Sequence, residues 1–348
     1  MFFDKSLSLV RMVYAAHGWA MTRAARLSYF FILAVIVLAA LSHLATPLVT
    51  VLFAYFALRK LSFGKRKWLS ITLFVIVVLA TLYGVGYLIR QALIALPKIA
   101  SESIPLLIAY AQQHGIELPF TDLESLKATT MDALRDEFLF VGNFARAGTK
   151  QLVFILIGIV VAVSLFLNPR VETYEANPRK PNLFTALTDE IRNRFQLFYN
   201  SFETVMGAQI VISAINTLLT AVFVTAISLK HGTVVIGLTF LCGLLPIVGN
   251  LISNSIIVGI ALTISPQRAI AALIFLVLLH KFEYFLNSKI IGDRIKNPVW
   301  LTLLALVIGE RVMGIPGMIL APVVLHYIKV EMSLLPPPDE PVPTQPGL

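Results

Sequence analysis

The feature that most restricts this chain is a set of long stretches without one Asp, Glu, Lys or Arg. Leu27–Leu58, Ser70–Ile89, Gln151–Pro169 and His231–Gln267 are four such runs. About 20 apolar residues in a helix cross the hydrocarbon core of a bilayer. Repeated runs of that length have no place in a soluble domain, so the sequence predicts an all-α, polytopic helical membrane protein. Charged residues make up 14% of the 348, against roughly 25% in soluble proteins.

The net charge of +9 would suit nucleic acid in a soluble protein. Here the basic residues flank apolar runs, where anionic headgroups and the positive-inside rule account for them. The bilayer is therefore the expected partner, and nucleic acid is not. Cys242 is the single cysteine, which leaves no internal disulfide and no CxxC site. Residues 1–26 carry Lys5, Arg11, Arg23 and Arg26. The apolar run that follows is too long for a cleaved signal, so 1–26 reads as a cytoplasmic segment leading into a retained membrane helix.

The 32-residue run Leu27–Leu58 would span about 48 Å as one helix, against about 30 Å for one crossing. Basic residues lie on both sides of it, and Pro47 lies inside. It reads as a hairpin of two short limbs breaking near His43–Pro47, followed by an outward span over 68–96. Residues 98–150 hold five Lys or Arg and seven Asp or Glu, which suits an external region. Ile104, Leu107, Ile108 and Ala111, and then Leu123, Leu126, Thr130 and Leu134, have helical spacing. They form either amphipathic helices on the membrane or a small external helical cap. The transport core is expected over 151–331, with a polar cytoplasmic loop at 169–194. A Pro-rich, extended tail occupies 332–348.

Two further runs are also too long for one crossing. Val234–Ile264 has Pro246 and Gly249 near its centre, and Val299–Ile328 has Gly314, Pro316 and Gly317. Proline removes a helix donor and glycine loosens the backbone. In transporters such breaks lie where freed backbone groups face substrate or ions. Read as re-entrant hairpins, both runs leave Lys289, Arg294, Lys296 and Lys329 on the cytoplasmic side. Read as a kinked crossing, Val234–Ile264 puts Lys289, Arg294 and Lys296 outside. The hairpin reading agrees with the positive-inside rule and gives about seven to eight membrane segments.

The sequence contains no HExxH, GxSxG, GxGxxG or Walker A pattern. It predicts no catalytic residue, metal site or cofactor, and no ATP hydrolysis by this chain. Its sharpest polar cluster is His280, Lys281, Glu283, Tyr284 and Asn287. All but Lys281 share one helical face. A carboxylate at membrane depth costs several kcal/mol unless paired or wetted. Glu283 is therefore either an ion or proton site, or half of an interfacial pair with a snorkelling Lys281. Gln209, Ser213, Asn216 and Thr220 form a second stripe, which either lines a pathway or bridges helices. Glu310 and Arg311 precede the second break, as a local pair there or as rim residues.

Three blocks carry a family resemblance. They are Gly243-Leu-Leu-Pro246-Ile-Val-Gly249-Asn250, then Glu283 with Asn287-Ser-Lys-Ile-Ile-Gly292-Asp-Arg-Ile-Lys-Asn-Pro298, and Gly309-Glu-Arg-Val-Met-Gly314-Ile-Pro-Gly317-Met-Ile-Leu-Ala-Pro322. In order and spacing the chain resembles the autoinducer-2 exporter family, or PerM-like permeases, over nearly its whole length. The resemblance implies a polytopic permease of the bacterial inner membrane that forms homo-oligomers. Some members export autoinducer-2, a small polar furanone-type signal, and others exchange sodium or lithium for protons. The chain departs from the usual pattern at Asn250, Ser288, Asn297 and Glu310, beside the presumed pathway.

The resulting expectation is a secondary permease exporting a small polar solute, with both termini cytoplasmic. Pro246, Gly249, Gly314, Pro316 and Gly317 shape the breaks. Asn250, Asn254, Glu283 and Asn287 line the path. The alternatives are a sodium or lithium/proton antiporter titrating Glu283, and a membrane scaffold acting through 98–150 and the tail.

Overall fold

The computed structural model describes residues 22–42, 44–62, 66–113, 115, 140–168, 182–229, 231–245, 248–291 and 298–334. Among these the regular structure is helical throughout: α1 (Arg23–Leu41), α2 (Ala45–Lys60), α3 (Lys67–Gln113), α4 (Phe140–Leu167), α5 (Leu183–Ala226), α6 (Gly232–Gly243), α7 (Val248–Leu262), α8 (Pro266–Ile291) and α9 (Val299–Leu334). Among the described residues five stretches are long and apolar enough to cross a bilayer: Arg23–Leu41, Lys67–Leu88, Lys150–Leu167, Leu183–Ala226 and Trp300–Leu334. The outer faces confirm what solvent they meet. On α8, Ala269, Ala272, Leu276 and Leu279 are buried, while Ile270, Leu273, Ile274, Val277 and Leu278 are exposed. A helix apolar on its inner and outer faces alike belongs in lipid. The protein is an all-α, polytopic membrane protein.

The chain divides into two compact units. The first comprises residues up to Leu48, Asn168–Val205 and the chain from Asn297 onward. Within it, Thr22 accepts from the Ala25 amide at 3.1 Å and so caps α1. α5 opens on a reciprocal cap: Asn182 Oδ1 accepts from the Thr185 amide at 2.9 Å, and Thr185 Oγ1 accepts from the Asn182 amide at 3.1 Å. This arrangement satisfies two donors that a helix start otherwise leaves orphaned. It starts the helix at Leu183, inside the stretch 169–194 expected to be a polar loop. The correction matters because Arg194 lies well inside α5.

α9 is not one rod. Gly314 has φ 64° and ψ −149° within it, a backbone conformation open essentially to glycine. Gly309 and Gly317 touch through their backbones, and Leu306, Met318 and Ala321 share one buried cluster. Residues eight apart in a straight helix stand about 12 Å apart along the axis. Backbone contact between Gly309 and Gly317 therefore means that α9 turns back on itself at Gly314 as a helical hairpin.

The second unit comprises Val49–Leu167 and Met206–Lys296. α2, α3 and α4 meet where Ala54, Leu58, Phe74 and Ala162 are buried. Lys67 Nζ donates to the Leu167 carbonyl at 2.8 Å, joining the start of α3 to the end of α4, so the two run antiparallel. α3 is one helix of 47 residues, about 70 Å long, although its span ends at Leu88. The boundary expected at 97–98 is thus no break in the helix, and the helical pattern at 104–111 continues the same rod. The second expected amphipathic stretch, 123–134, lies outside the described residues.

The rest of this unit is built on the expected interruption of the run 234–264. α6 ends at Gly243, and α7 starts at Val248 and packs on α6, α8 and α3. Ser265 caps α8 through the Arg268 amide at 3.2 Å, with Pro266 at the first helical position, where its missing donor is harmless. Around Ala261, Ala269 and Ala272 are buried Ile257, Ile260, Leu276 and Leu279. Small residues let helix backbones approach where lipid offers no hydrophobic drive to pack.

Candidate functional site

The site residues of the second unit gather at the start of α7. Gly249 lies in its first turn, and a Cβ there would run into the carbonyl of Cys242 at the end of α6. Only glycine lets the hairpin close this tightly. The next residue, Asn250, directs its amide at α8. Its Nδ2 donates to both carboxylate oxygens of Glu283, at 2.8 Å and 2.7 Å. Asn250 and Glu283 are both half-buried. Among the described residues Asn250 is the one partner of that carboxylate, and it carries no charge. His280 and Lys281 are exposed on α8. Of the polar cluster expected on that helix, Glu283 is bound by an amide from a different helix, and the side chain of Tyr284 lies outside the described residues.

Ser253 Oγ donates to the Asn250 carbonyl at 3.2 Å, which stiffens the same turn. Asn254 is half-buried on α7. Asn287 falls in α8, with its side chain outside the described residues, as is Pro246.

Gln209 and Ser213 act as helix bridges. Gln209 Nε2 donates to the Gly243 carbonyl at 2.6 Å, and Ser213 Oγ donates to that of Phe240 at 2.8 Å. The last carbonyls of a helix have no partner within it, and α5 supplies donors to two of those on α6. Asn216 and Thr220 continue the stripe and are buried.

In the first unit, Gly314 and Gly317 form the turn of the α9 hairpin, and Pro316 sits between them. Pro316 falls in the turn, where its missing amide costs no helical bond. Glu310 and Arg311 are exposed on the limb before the turn.

This unit also holds a polar centre that sequence reasoning assigned elsewhere. Arg194 is 3% exposed. Its guanidinium reaches Glu331 at 3.1 Å and Glu190 at 3.3 Å. It also lies over the Tyr29 ring, 3.8 Å from the centroid. Tyr29 in turn donates to Glu331 at 2.6 Å. One buried arginine thereby ties α1, α5 and the second limb of α9. The spacing of Glu190 and Arg194, one helical turn, was the only local signal; Tyr29 and Glu331 are far away in sequence.

Interrupted apolar helices, with a carboxylate and amide paired beside one interruption, define a polytopic membrane transporter. The comparison with known families agrees: the family described as "AI-2E family transporter" matches residues 14–335. The chain belongs to the AI-2E transporter family. It is also similar to the "Putative transport protein YdbI" of Bacillus subtilis (strain 168), 29% identical over 128 residues. That match covers 35% of this chain and 36% of the relative, so it spans little more than a third of either protein.

Proposed function

We propose that this protein is a secondary permease of a bacterial inner membrane that exports a small polar solute, of which autoinducer-2 is the first candidate. The observation that carries the reading is the Asn250–Glu283 pair beside the α6–α7 break. α6 has 12 residues and α7 has 15, so they are about 18 and 22 Å long. Neither reaches across a core of about 30 Å. A hairpin with such limbs enters and leaves by one face, and its turn ends within the membrane. A carboxylate at that level is costly unless it is wetted or paired, and a single neutral amide is a modest pairing. An aqueous solute path past Glu283 supplies the rest.

The same argument extends to α9, whose first limb up to Met313 is about 22 Å long. In this reading both hairpins are re-entrant, both termini are cytoplasmic, and copies of the chain assemble with one another. Pro246, Gly249, Gly314, Pro316 and Gly317 shape the two turns. Asn254 and Asn287 share the path with Asn250 and Glu283.

A second reading, sodium or lithium/proton antiport, is favoured by the neutral partner, Asn250, that Glu283 has among the described residues. Proteoliposomes separate the two. Purified protein is reconstituted with a pH-sensitive dye inside, and sodium or lithium is added to wild type and Glu283→Gln. Efflux of preloaded autoinducer-2 is followed in parallel. Solute efflux lost in the variant, without cation-driven proton flux, supports the permease. Proton flux lost in the variant moves the assignment to antiport. Solute efflux unchanged by Glu283→Gln, Pro246→Leu and Gly317→Leu would remove this site from the pathway.

A further inference from the structure

The stripe on α5 is only half used. Gln209 and Ser213 are bonded to the end of α6. One and two turns further along, Asn216 and Thr220 are 3% and 0% exposed, yet among the described residues Asn216 Oδ1 and Thr220 Oγ1 have no hydrogen-bond partner. Buried polar oxygens in helical proteins nearly always have partners, and a low-dielectric interior makes an unpaired one costly. Thr217, one position off this face, shows the ordinary solution by donating to the Ser213 carbonyl at 2.7 Å. Thr220 does not take the equivalent bond.

Register places these oxygens. Ser213 faces Phe240, and Val224 faces Gly232, so Asn216 and Thr220 lie along the stretch of α6 between those points. Thr239, in that stretch, is buried and donates to its own helix at Val235. It offers nothing across the interface but can accept one more hydrogen bond.

We propose that Asn216 and Thr220 form an inner station for one hydroxyl-bearing guest. The inventory balances for that chemistry. The amide oxygen of Asn216 only accepts, whereas the hydroxyl of Thr220 both donates and accepts. One O–H group donates to Asn216 and accepts from Thr220. Side chains one turn apart have Cβ atoms about 5–6 Å from each other. A single oxygen at about 2.8 Å from each side-chain oxygen spans such a gap. Neither residues 206–226 of α5 nor α6 carries an Asp or Glu to neutralise a cation's charge, whereas an O–H group uses both the acceptor of Asn216 and the donor of Thr220. Two sources share the chemistry: a resident water molecule and the hydroxyl of a solute.

The station stands on atoms separate from Glu283, so it holds whether or not Glu283 belongs to the pathway. The test is a density map of the full-length protein in nanodiscs, sharp enough to show ordered water, recorded without solute and again with glycerol as the hydroxylated probe. We expect a peak within about 3.2 Å of both oxygens. A peak in the solute-free map identifies water, and a peak only with glycerol identifies a solute hydroxyl. Thr220→Val, nearly isosteric, is expected to lose the peak without loss of folding. Asn216→Leu is the second variant, read by thermal melting alongside its map. Empty maps under both conditions would overturn the proposal, and a higher Tm for Thr220→Val or Asn216→Leu would then show that apolar groups fill a vacant polar notch.

Discussion

The carbonyl of Gly309 occupies the space that a side chain at Gly317 would need, and the carbonyl of Gly317 does the same at Gly309. This mutual exclusion holds the two limbs of α9 together. Gly317→Ala should force the limbs apart and cost at least about 1–3 kcal/mol, as overpacking does. Gly314→Ala should cost about 1–3 kcal/mol through backbone strain alone, because nothing lies within 4 Å of its Cβ direction. Thermal unfolding in detergent would show a lower Tm for both. The drop should be larger for the Gly317 substitution, because the obstacle there is the backbone carbonyl of Gly309, which no side-chain change removes.

The Asn250–Glu283 pair makes a sharper prediction. Glu283→Gln keeps an acceptor for the Asn250 amide and should leave Tm nearly unchanged while reducing transport. Asn250→Asp sets two carboxylates against each other and should lower both. Asn250→Leu strips the carboxylate of its donor, at a cost of about 1–3 kcal/mol or more for a charged group. Equal Tm values for Glu283→Gln and Asn250→Leu would mean that the hydrogen bonds contribute nothing.

Arg194 and Glu331 are both buried, so removing one of them leaves an uncompensated charge. Glu331→Leu should destabilise by about 3–5 kcal/mol. Adding Arg194→Met should recover much of that loss, because an apolar pair needs no hydration. The double-mutant cycle, read by unfolding, should show strong coupling; additive effects would contradict the geometry. Tyr29→Phe removes one hydrogen bond to Glu331 but keeps the ring under the guanidinium, and should cost about 1.5–3 kcal/mol.

Gly243 and Ser213 form a compensable pair. A Cβ on Gly243 would stand 2.5 Å from the Ser213 hydroxyl and 3.0 Å from its Cβ. Gly243→Ala should therefore lower Tm, and the effect should shrink in a Ser213→Gly background. Ser213→Gly alone loses the bond to Phe240, worth about 1 kcal/mol, together with the helix propensity that glycine lacks.

Comparing the two levels of description, the uncharged runs were enough to establish a multi-pass helical membrane protein. Gly249 and Gly314 also marked where long apolar stretches would break. Both inferences rest on local chemistry, namely the transfer of side chains to lipid and the conformational freedom of single residues. The start of α5 was not read, because the prolines and charges around it suggested a loop and hid the Asn182–Thr185 capping pair. Arg194 was misplaced for the same reason, because a basic residue near a membrane boundary looks like a solvated one.

Partnership was a different matter, and only the tertiary structure decided it. Glu283 could have met Lys281, His280 or a cation, and it meets Asn250 on another helix. Tyr29 and Glu331 are 302 positions apart, and no pattern in the chain links them. The physical reason lies in the solvent. In water a polar face marks the outside of a helix, but in lipid the outward and inward faces are both apolar. A membrane sequence therefore states which segments are helices and where they break, and leaves their mutual facing to a few glycines and alanines and to the buried polar groups that must find one another.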